Sequence, residues 1–470
     1  MKQSISRRIL SGIGGQALSR ATFLLSTVAI IPILLSAWGT QTYGEWLTLT
    51  AFASYVSLSD FGLSNATSTE MIRLAGAGEL ARARSVFDTS LTSLLFISIP
   101  VLGAIVVPAY CLPLTRWLNI SSTDNTGAFL VITLVAINVW LNTLKGVIAG
   151  AICTTGRYGL PNTISAIAKL FELTCLGVSA IYFQISLLGA AVIICVAAAL
   201  DVACQIFIFC RLVEWAGFTP RINKKLLQKL VRPSLGVVTL NMAVNAASIQ
   251  GPRLILSAII GPSAVTVYSL YGTAMRLVDQ LTGLFAAPLQ MEVANSTGAG
   301  DEHRSIILVA LGTQLSLIGY FCVVAGLLLF GDWIFAIWTH KLIAFHFNLM
   351  ALFLLIGLAM QIGKVAQIYL LGTNEVFHFA MIALISMLTS LGLGAILLPY
   401  LGLPGMVIAM AMGETAMTVA ALSFCAHIMQ ISLGSLLSEL ANFSKSARLM
   451  ITFLHRRKIL PSKPIPNGNS

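Results

Sequence analysis

The chain has 470 residues, of which 57% are hydrophobic and only 10% are charged. A soluble globular protein carries about 25% charged residues, so this composition excludes that class. The apolar runs are long and continuous, whereas a membrane-spanning β-barrel has short alternating segments. We therefore interpret the net charge of +11 as a signal of orientation in the membrane and not of nucleic-acid binding. The composition predicts an all-α membrane protein.

The N-terminal segment is basic up to Arg8 and precedes an apolar run over residues 21–37. Secretory signal peptides share this pattern, but the run is long for one and no convincing cleavage site follows it. We interpret it as the first membrane helix, retained in the mature protein. About 20 apolar residues span a bilayer, and by that measure we predict twelve spans. They cover residues 12–37, 44–69, 87–111, 127–151, 160–183, 186–212, 234–260, 264–292, 305–330, 347–372, 375–398 and 403–428.

The basic residues outside these spans lie almost entirely on one side of the membrane. With a cytoplasmic N-terminus, only Arg116 and Lys341 fall in outer loops. Cytoplasmic loops collect Lys and Arg, so this distribution predicts a multi-pass protein with both termini in the cytoplasm.

A weak internal repeat indicates two halves of six spans each. Gly39 and Gly261 lie at the ends of the first and seventh spans, and Gly76 and Gly298 lie in small-residue loops after the second and eighth; both pairs are 222 residues apart. An even number of spans per repeat gives both halves the same orientation, with an axis along the membrane normal. The predicted organisation is a lobe over 1–212, a basic cytoplasmic linker over 213–233, a lobe over 234–429 and an amphipathic or disordered tail over 430–470. Within the tail, residues 431–454 predict an amphipathic helix on the inner surface, with a poorly ordered tail as the alternative.

Charged residues within the spans are the main functional signal. An Arg or Lys at the bilayer centre costs about 2.5–3.5 kcal/mol, so these side chains must line a cavity or pair with each other. The basic ones are Arg20, Lys145, Lys169, Arg253, Arg276 and Lys364, and the acidic ones are Asp60, Glu172, Asp201, Asp279 and Glu414.

Spacing divides the basic residues into two groups. Lys169 with Glu172, and Arg276 with Asp279, are three residues apart and suit a pair within one helix. Lys145 lies near an inner helix end, where a long side chain can reach the interface.

Arg20, Arg253 and Lys364 have no acid three or four residues away. They are the leading candidates for a cationic cavity, with pairing to another helix as the alternative. A guanidinium matches phosphate oxygens in charge and geometry, so the hypothesis is an anionic substrate that carries phosphate.

The acids leave more than one reading open. Asp60 is a candidate for proton or ion coupling, or the partner of Arg20 on the neighbouring helix, and Glu414 is similarly undecided. The histidines show no ligand spacing, and the loose nucleotide-like pattern over residues 12–17 has no preceding strand, so we interpret it as close helix packing. We therefore expect no enzyme, no cofactor and no nucleic-acid partner, and the driving force would be a proton or sodium gradient or the imbalance of the substrate itself.

Three short motifs resemble a known family. Tyr43-Gly44-Glu45-Trp46 opens the second span, Ser59-Asp60-Phe61-Gly62-Leu63 lies inside it, and Ala75-Gly76-Ala77-Gly78-Glu79 follows it. Their order resembles the polysaccharide transporters, the Wzx-like O-antigen flippase branch of the multidrug/oligosaccharidyl-lipid/polysaccharide (MOP) exporter superfamily. The match is good over about 60 residues and rests on hydropathy and helix count elsewhere. In the second half Tyr268 is followed by Ser269, whereas Tyr43 in the first half is followed by Gly44, so the second half matches the family less well.

The resemblance implies two pseudo-symmetric six-helix lobes with a MATE-like architecture and a central cavity, in a bacterial inner membrane. It implies alternating-access movement of undecaprenyl-pyrophosphate-linked oligosaccharide from the cytoplasmic to the periplasmic leaflet, with membrane lipids and a polysaccharide polymerase machinery as partners. The first, second, seventh and eighth helices would line the cavity. That arrangement would place Arg20, Asp60, Arg253, Arg276 and Asp279 there.

Three other functions remain open. A MATE-type multidrug exporter of cations would want a cavity rich in acids. A peptidoglycan lipid-precursor flippase is closer and poorly separated by sequence. A membrane enzyme such as a glycan polymerase would need a longer outer loop than this chain has.

Overall fold

The computed structural model describes residues 5–60, 62–298, 302–373 and 376–441, and within these ranges it contains helices and no strands. The all-α prediction is confirmed. In chain order the helices are α1 (Ile5–Ser54), α2 (Leu63–Gly76), α3 (Leu80–Cys111), α4 (Leu114–Trp117), α5 (Asn125–Cys153), α6 (Leu160–Tyr182), α7 (Leu187–Leu212), α8 (Lys224–Asn241), α9 (Gly251–Ile259), α10 (Pro262–Gly298), α11 (Glu302–Trp338), α12 (Phe347–Thr373), α13 (Phe377–Leu401), α14 (Leu403–Ile428) and α15 (Leu433–Ala441).

Nine helical segments of the described chain are long and apolar enough to cross a membrane. One of them, Gly14–Asp60, covers nearly all of the first predicted span and the first part of the second, and it is broken at Gly39, where φ is 70°. A left-handed conformation of this kind favours glycine. The second span continues through a 3₁₀ turn over Tyr55–Asp60 into α2. The seventh and eighth predicted spans are the α8–α9 unit and α10.

The seventh span is not a regular α-helix. Between α8 and α9 the backbone widens into a π-helical segment over Met242–Gln250, followed by Pro252 in the first turn of α9. Proline lacks the amide proton that a continuous helix requires. Irregular turns of this type often occur at functional sites.

The predicted basic linker is partly helical. Asn223 caps α8 by accepting a hydrogen bond from the Leu226 amide at 3.3 Å, and Leu226 and Leu227 then pack against the core beneath α2, α3 and α5. The helix therefore begins at Lys224, inside the segment that the sequence placed in a linker.

The helices pack in two groups. A buried core joins α2, α3, α5 and α7, and a second joins α11 to α14 with the π-helical segment; we call the groups containing α1–α7 and α8–α14 the N-terminal and C-terminal lobes. A third, larger core lies between the lobes, where α1 packs on α9 and α10. Close packing by small residues is also present: a Cβ at Gly15 would meet the Gly159 oxygen at 2.5 Å.

The described part of the tail is the short helix α15. Its Leu436 and Leu440 are buried in the core of the C-terminal lobe, and Gln314 Nε2 of α11 donates to the Leu440 oxygen at 3.0 Å. Over these residues, the apolar face of the predicted amphipathic segment therefore packs against the protein. The remainder of that segment, from 442 onward, lies outside the described residues.

Candidate functional site

A cavity of about 640 Å³ lies between the two lobes. Its wall combines residues of α1, α5, α6 and α7 with residues of the π-helical segment, α9 and α10. The first, second, seventh and eighth spans all contribute, as the resemblance implied, and α5 to α7 add a wall that it did not imply. Cavities of roughly 300–1,000 Å³ hold drug-sized ligands, so this one admits a polar head of that size.

Two arginines form the positive part of this wall. Arg253 donates from Nε to Ser269 Oγ at 3.1 Å and from Nη1 to Gln250 Oε1 at 3.1 Å, and Arg276 Nη2 donates to Thr273 Oγ1 at 2.8 Å. Among the described residues neither guanidinium has an ion pair. A buried charge held only by neutral groups is costly unless a ligand supplies the opposite charge.

The N-terminal lobe supplies the cavity with charges that are already balanced. Lys145 Nζ lies 2.7 Å from Asp201 Oδ2, and Lys169 Nζ lies 2.7 Å from Glu172 Oε1. The predicted Lys169–Glu172 pair is therefore present. Lys145, expected to extend toward the interface, instead joins α5 to α7, because an unpaired ammonium in the protein interior would lack compensation.

The internal repeat explains why the positive charge lies on one side. The 222-residue offset places Ile31 and Ser54 at the positions equivalent to Arg253 and Arg276, and both of these also line the cavity. The two halves thus meet at one cavity with different chemistry. The C-terminal lobe carries the cations, and the equivalent surface of α1 carries an isoleucine and a serine.

Other predicted basic residues lie elsewhere. Arg20 is exposed on α1 and is not among the residues that line the cavity. Lys364 Nζ bonds Asp279 Oδ1 at 2.7 Å, which joins α12 to α10. Asp279 thus pairs across helices with Lys364, and the expected pair between Arg276 and Asp279 is absent from the described ion pairs, since Arg276 turns to Thr273.

The acids Asp60 and Glu414 also lie outside the cavity wall. Asp60 Oδ1 accepts from the Ser64 hydroxyl at 2.5 Å, so the described contacts show no pair with Arg20. Glu414 is only 4% exposed on α14 and its Oε1 has no hydrogen-bond partner among the described residues. The buried Oε1 of Gln361 also has no hydrogen-bond partner among the described residues. The Nε2 of the same side chain donates to Asp279 Oδ1 at 2.8 Å.

One end of the interface between the lobes is held shut by hydrogen bonds, and its centre is Glu45, which is fully buried. The Glu45 carboxylate accepts from the backbone amides of Ser121 and Ser122 at 2.9 Å each and from both serine hydroxyls. Gln41 Nε2 adds a bond at 3.3 Å. This carboxylate fixes the loop between α4 and α5 against the start of the second span.

The same loop and the same span reach the C-terminal lobe. Asn119 Nδ2 donates to the Ser257 oxygen at 3.0 Å, and Ser257 Oγ donates to the Leu118 oxygen at 2.6 Å. Ser263 Oγ donates to Gln41 Oε1 at 2.7 Å. We call these contacts, together with Glu45, the latch.

The latch lies on the repeat axis. Gln41 and Ser263 are 222 residues apart, the repeat offset, so equivalent positions of the two halves touch. Gly44 permits this approach, since a Cβ there would meet the Pro262 oxygen at 1.9 Å. Glu45 belongs to the motif over residues 43–46, which assigned it no role; an acid at the start of an apolar span was the available signal. Nothing in the sequence indicated Gln250, Ser269 or Thr273.

Comparison with solved structures identifies the architecture. The inward-facing conformation of a multidrug resistance MATE family transporter of the MOP superfamily is similar, with a TM-score of 0.69 at 15% identity over 86% of this chain and 94% of that one. The chain has the fold of a MOP superfamily transporter. The outward-facing conformation of such a transporter gives a TM-score of 0.61 at 14% identity over 90% and 95%. Lipid II flippase MurJ, in an inward closed conformation, gives 0.61 at 14% over 95% and 94%. No family model and no curated protein matches the sequence.

The fold confirms a multi-pass membrane protein of two lobes with a MATE-like architecture. Sequence identities of 14–15% show a shared fold and not a shared substrate. The Wzx-like branch, the orientation of the termini and the exact lobe boundaries remain predictions.

Proposed function

We propose that this protein is a flippase for a lipid-linked oligosaccharide joined through pyrophosphate, of the undecaprenyl-pyrophosphate type used for O-antigen and other surface polysaccharides. The observation that carries the proposal is the pair Arg253 and Arg276 in the cavity without an acidic partner in the described chain. Arginine bonds phosphate oxygens in a bidentate way. A pyrophosphate bridge carries negative charge on each of its phosphates, so it would balance the two guanidinium groups.

The size of the cavity supports a head-group mechanism. About 640 Å³ accommodates a pyrophosphate with the adjoining sugar, while the polyprenyl chain would remain in the surrounding lipid. Alternating access would then expose this cavity to one leaflet at a time. We infer that the arrangement with the latch closed is inward-facing, which agrees with the higher TM-score to the inward-facing transporter.

Two other functions have some support. Export of cationic drugs fits the fold, but two unpaired arginines would repel a cation. Movement of a peptidoglycan precursor fits the likeness to a lipid II flippase and also involves a pyrophosphate. The proposal keeps the oligosaccharide substrate because of the motifs over residues 43–79. Polymerase partners and cytoplasmic-to-periplasmic direction belong to the same proposal.

The first test is transport by the wild-type protein in liposomes. We expect movement of fluorescent undecaprenyl-pyrophosphate oligosaccharide to the far leaflet at a rate at least tenfold above that of empty liposomes. Movement of lipid II alone would favour the precursor flippase, and uptake of a fluorescent cationic drug alone would favour the exporter. Transport of none of the three, with or without an ion gradient, would contradict the proposal.

Glu414 gives a second prediction, because among the described residues it is a buried acid with an oxygen that lacks a hydrogen-bond partner. A buried carboxylate of this kind favours a bound proton or cation, so we propose it as the coupling acid, with Asp279 and Asp60 as further candidates. Glu414→Gln should retain flipping without a gradient but lose the acceleration by an imposed proton or sodium gradient.

The measurement compares initial flipping rates with and without each gradient. Glu79→Gln, a change at an acid that pairs with Arg82 at an exposed site, is the matched control and should respond to gradients as the wild type does. Gradient acceleration that survives in Glu414→Gln would remove Glu414 from the coupling role.

A further inference from the structure

The part of the cavity formed by the N-terminal lobe has a chemistry of its own. Its charged side chains, Lys145 with Asp201 and Lys169 with Glu172, form two pairs at 2.7 Å. This wall therefore brings donors and acceptors into the cavity without net charge. The wall formed by Arg253 and Arg276 has the opposite property.

Amide groups extend this neutral polar wall. Asn138 and Asn142 of α5 both line the cavity. Asn138 Nδ2 donates to the Ile194 oxygen at 2.8 Å, and Asn142 Nδ2 donates to the Asn138 oxygen at 2.9 Å. These bonds fix the two amides on the wall, and the Asn142 side chain is the exposed one of the two.

Asp201 is held rigidly as well. Its Oδ2 binds Lys145, and its Oδ1 accepts from Gln205 Nε2 at 2.8 Å; the same nitrogen also donates to Ser165 Oγ at 3.1 Å. Preorganised polar groups lose little entropy when a ligand binds. The wall is therefore a preformed set of donors and acceptors.

We propose that Lys145, Asp201, Asn138 and Asn142 form a subsite for an uncharged sugar attached to the phosphate that Arg253 and Arg276 bind. This inference rests on the proposed function. Sugar hydroxyls donate and accept hydrogen bonds, so they match a wall that offers both. A sugar with a carboxylate would lose its hydration on a wall with no excess positive charge, and that loss would go uncompensated. Sites built to pair a hydroxyl discriminate strongly against ligands that leave their polar groups unpaired.

The test measures binding of three soluble probes to the purified full-length protein by titration calorimetry. The probes are farnesyl pyrophosphate linked to N-acetylglucosamine, farnesyl pyrophosphate linked to glucuronate, and farnesyl pyrophosphate alone. We expect the N-acetylglucosamine probe to bind at least tenfold tighter than each of the others. Asn142→Leu should reduce that advantage at least fivefold, whereas Gln16→Leu, an amide change at an exposed position of α1 outside the cavity wall, should not.

The outcomes distinguish a failure of the sugar subsite from a failure of the proposed function. If the sugar-free probe binds and loses affinity in Arg276→Ala, the pyrophosphate site stands; equal binding of all three probes would then overturn the sugar subsite alone. If no probe binds to the wild type, both proposals fail. Asn142→Ser serves as a second variant should the leucine variant not fold, and an unchanged advantage in either would overturn the role of Asn142.

Discussion

Replacing Arg253 or Arg276 with alanine should lower the flipping rate of the pyrophosphate-linked oligosaccharide by about 10- to 150-fold for each change. The range follows from roughly 1.5–3 kcal/mol for a hydrogen bond to a charged group, at about tenfold per 1.4 kcal/mol. Arg276→Lys keeps the charge but loses the planar fork that binds two oxygens, so we expect an intermediate rate. The measurement is the initial rate in proteoliposomes, with melting temperature as the check on folding.

Three other basic residues make this prediction discriminating. Arg82→Ala changes an exposed side chain paired with Glu79 and is the control for a general loss of charge. Arg20→Ala and Lys364→Ala test the two candidates that the sequence favoured and the structure places outside the cavity wall. A loss in Arg20→Ala as large as that in Arg253→Ala would contradict a phosphate site built from Arg253 and Arg276.

Replacing Glu45 with alanine should open the latched end. The change removes the acceptor of four bonds from Ser121 and Ser122 and frees Gln41 and the loop that carries Asn119. Loss of even one charge-assisted bond, about 1.5–3 kcal/mol, shifts a two-state equilibrium by tenfold or more. We therefore expect a cysteine at the cavity position Thr273 to react at least tenfold faster with an impermeant thiol reagent applied from the latched side.

The cysteine experiment needs a background in which the 8 native cysteines are replaced, and vesicles of both orientations. Asn119→Ala, which removes the bonds to the backbone oxygens of Ser257 and Ala258 directly, should give a smaller increase from the same side. Glu79→Ala is the matched control, because it removes an exposed acid that pairs with Arg82 and makes none of the latch contacts. Unchanged labelling from the latched side in both Glu45→Ala and Asn119→Ala would show that these contacts do not hold the end closed.

Helix positions were predictable because they follow from local properties. The spans are apolar over bilayer length, and Gly39 and Gly261 end the first and seventh because both adopt positive φ, at 70° and 114°. The irregular π-helical segment before Pro252 was not predictable to the same degree. Its backbone geometry depends on contacts with neighbouring helices, such as the hydrogen bond from the Tyr55 hydroxyl to the Ala246 oxygen at 3.0 Å.

Spacing along the sequence predicted ion pairs within one helix but not those between helices. Spacing along one helix correctly paired Lys169 with Glu172, because both partners belong to α6. It failed for Asp279, which pairs with Lys364 of another helix, and for Lys145, which pairs with Asp201. Partners on different helices are set by rotation and packing, which a single sequence does not reveal.

The sequence by itself determined that this chain is a helical membrane protein with two related halves and charges that must be buried away from lipid. Those conclusions depend on transfer free energies, which each residue contributes independently of its neighbours in space. Only the tertiary structure decided which charges neutralise each other and which two cavity arginines have no ion pair among the described residues. That outcome depends on distances of a few ångströms between side chains of different helices, over which the attraction of opposite charges and the cost of burying them compete.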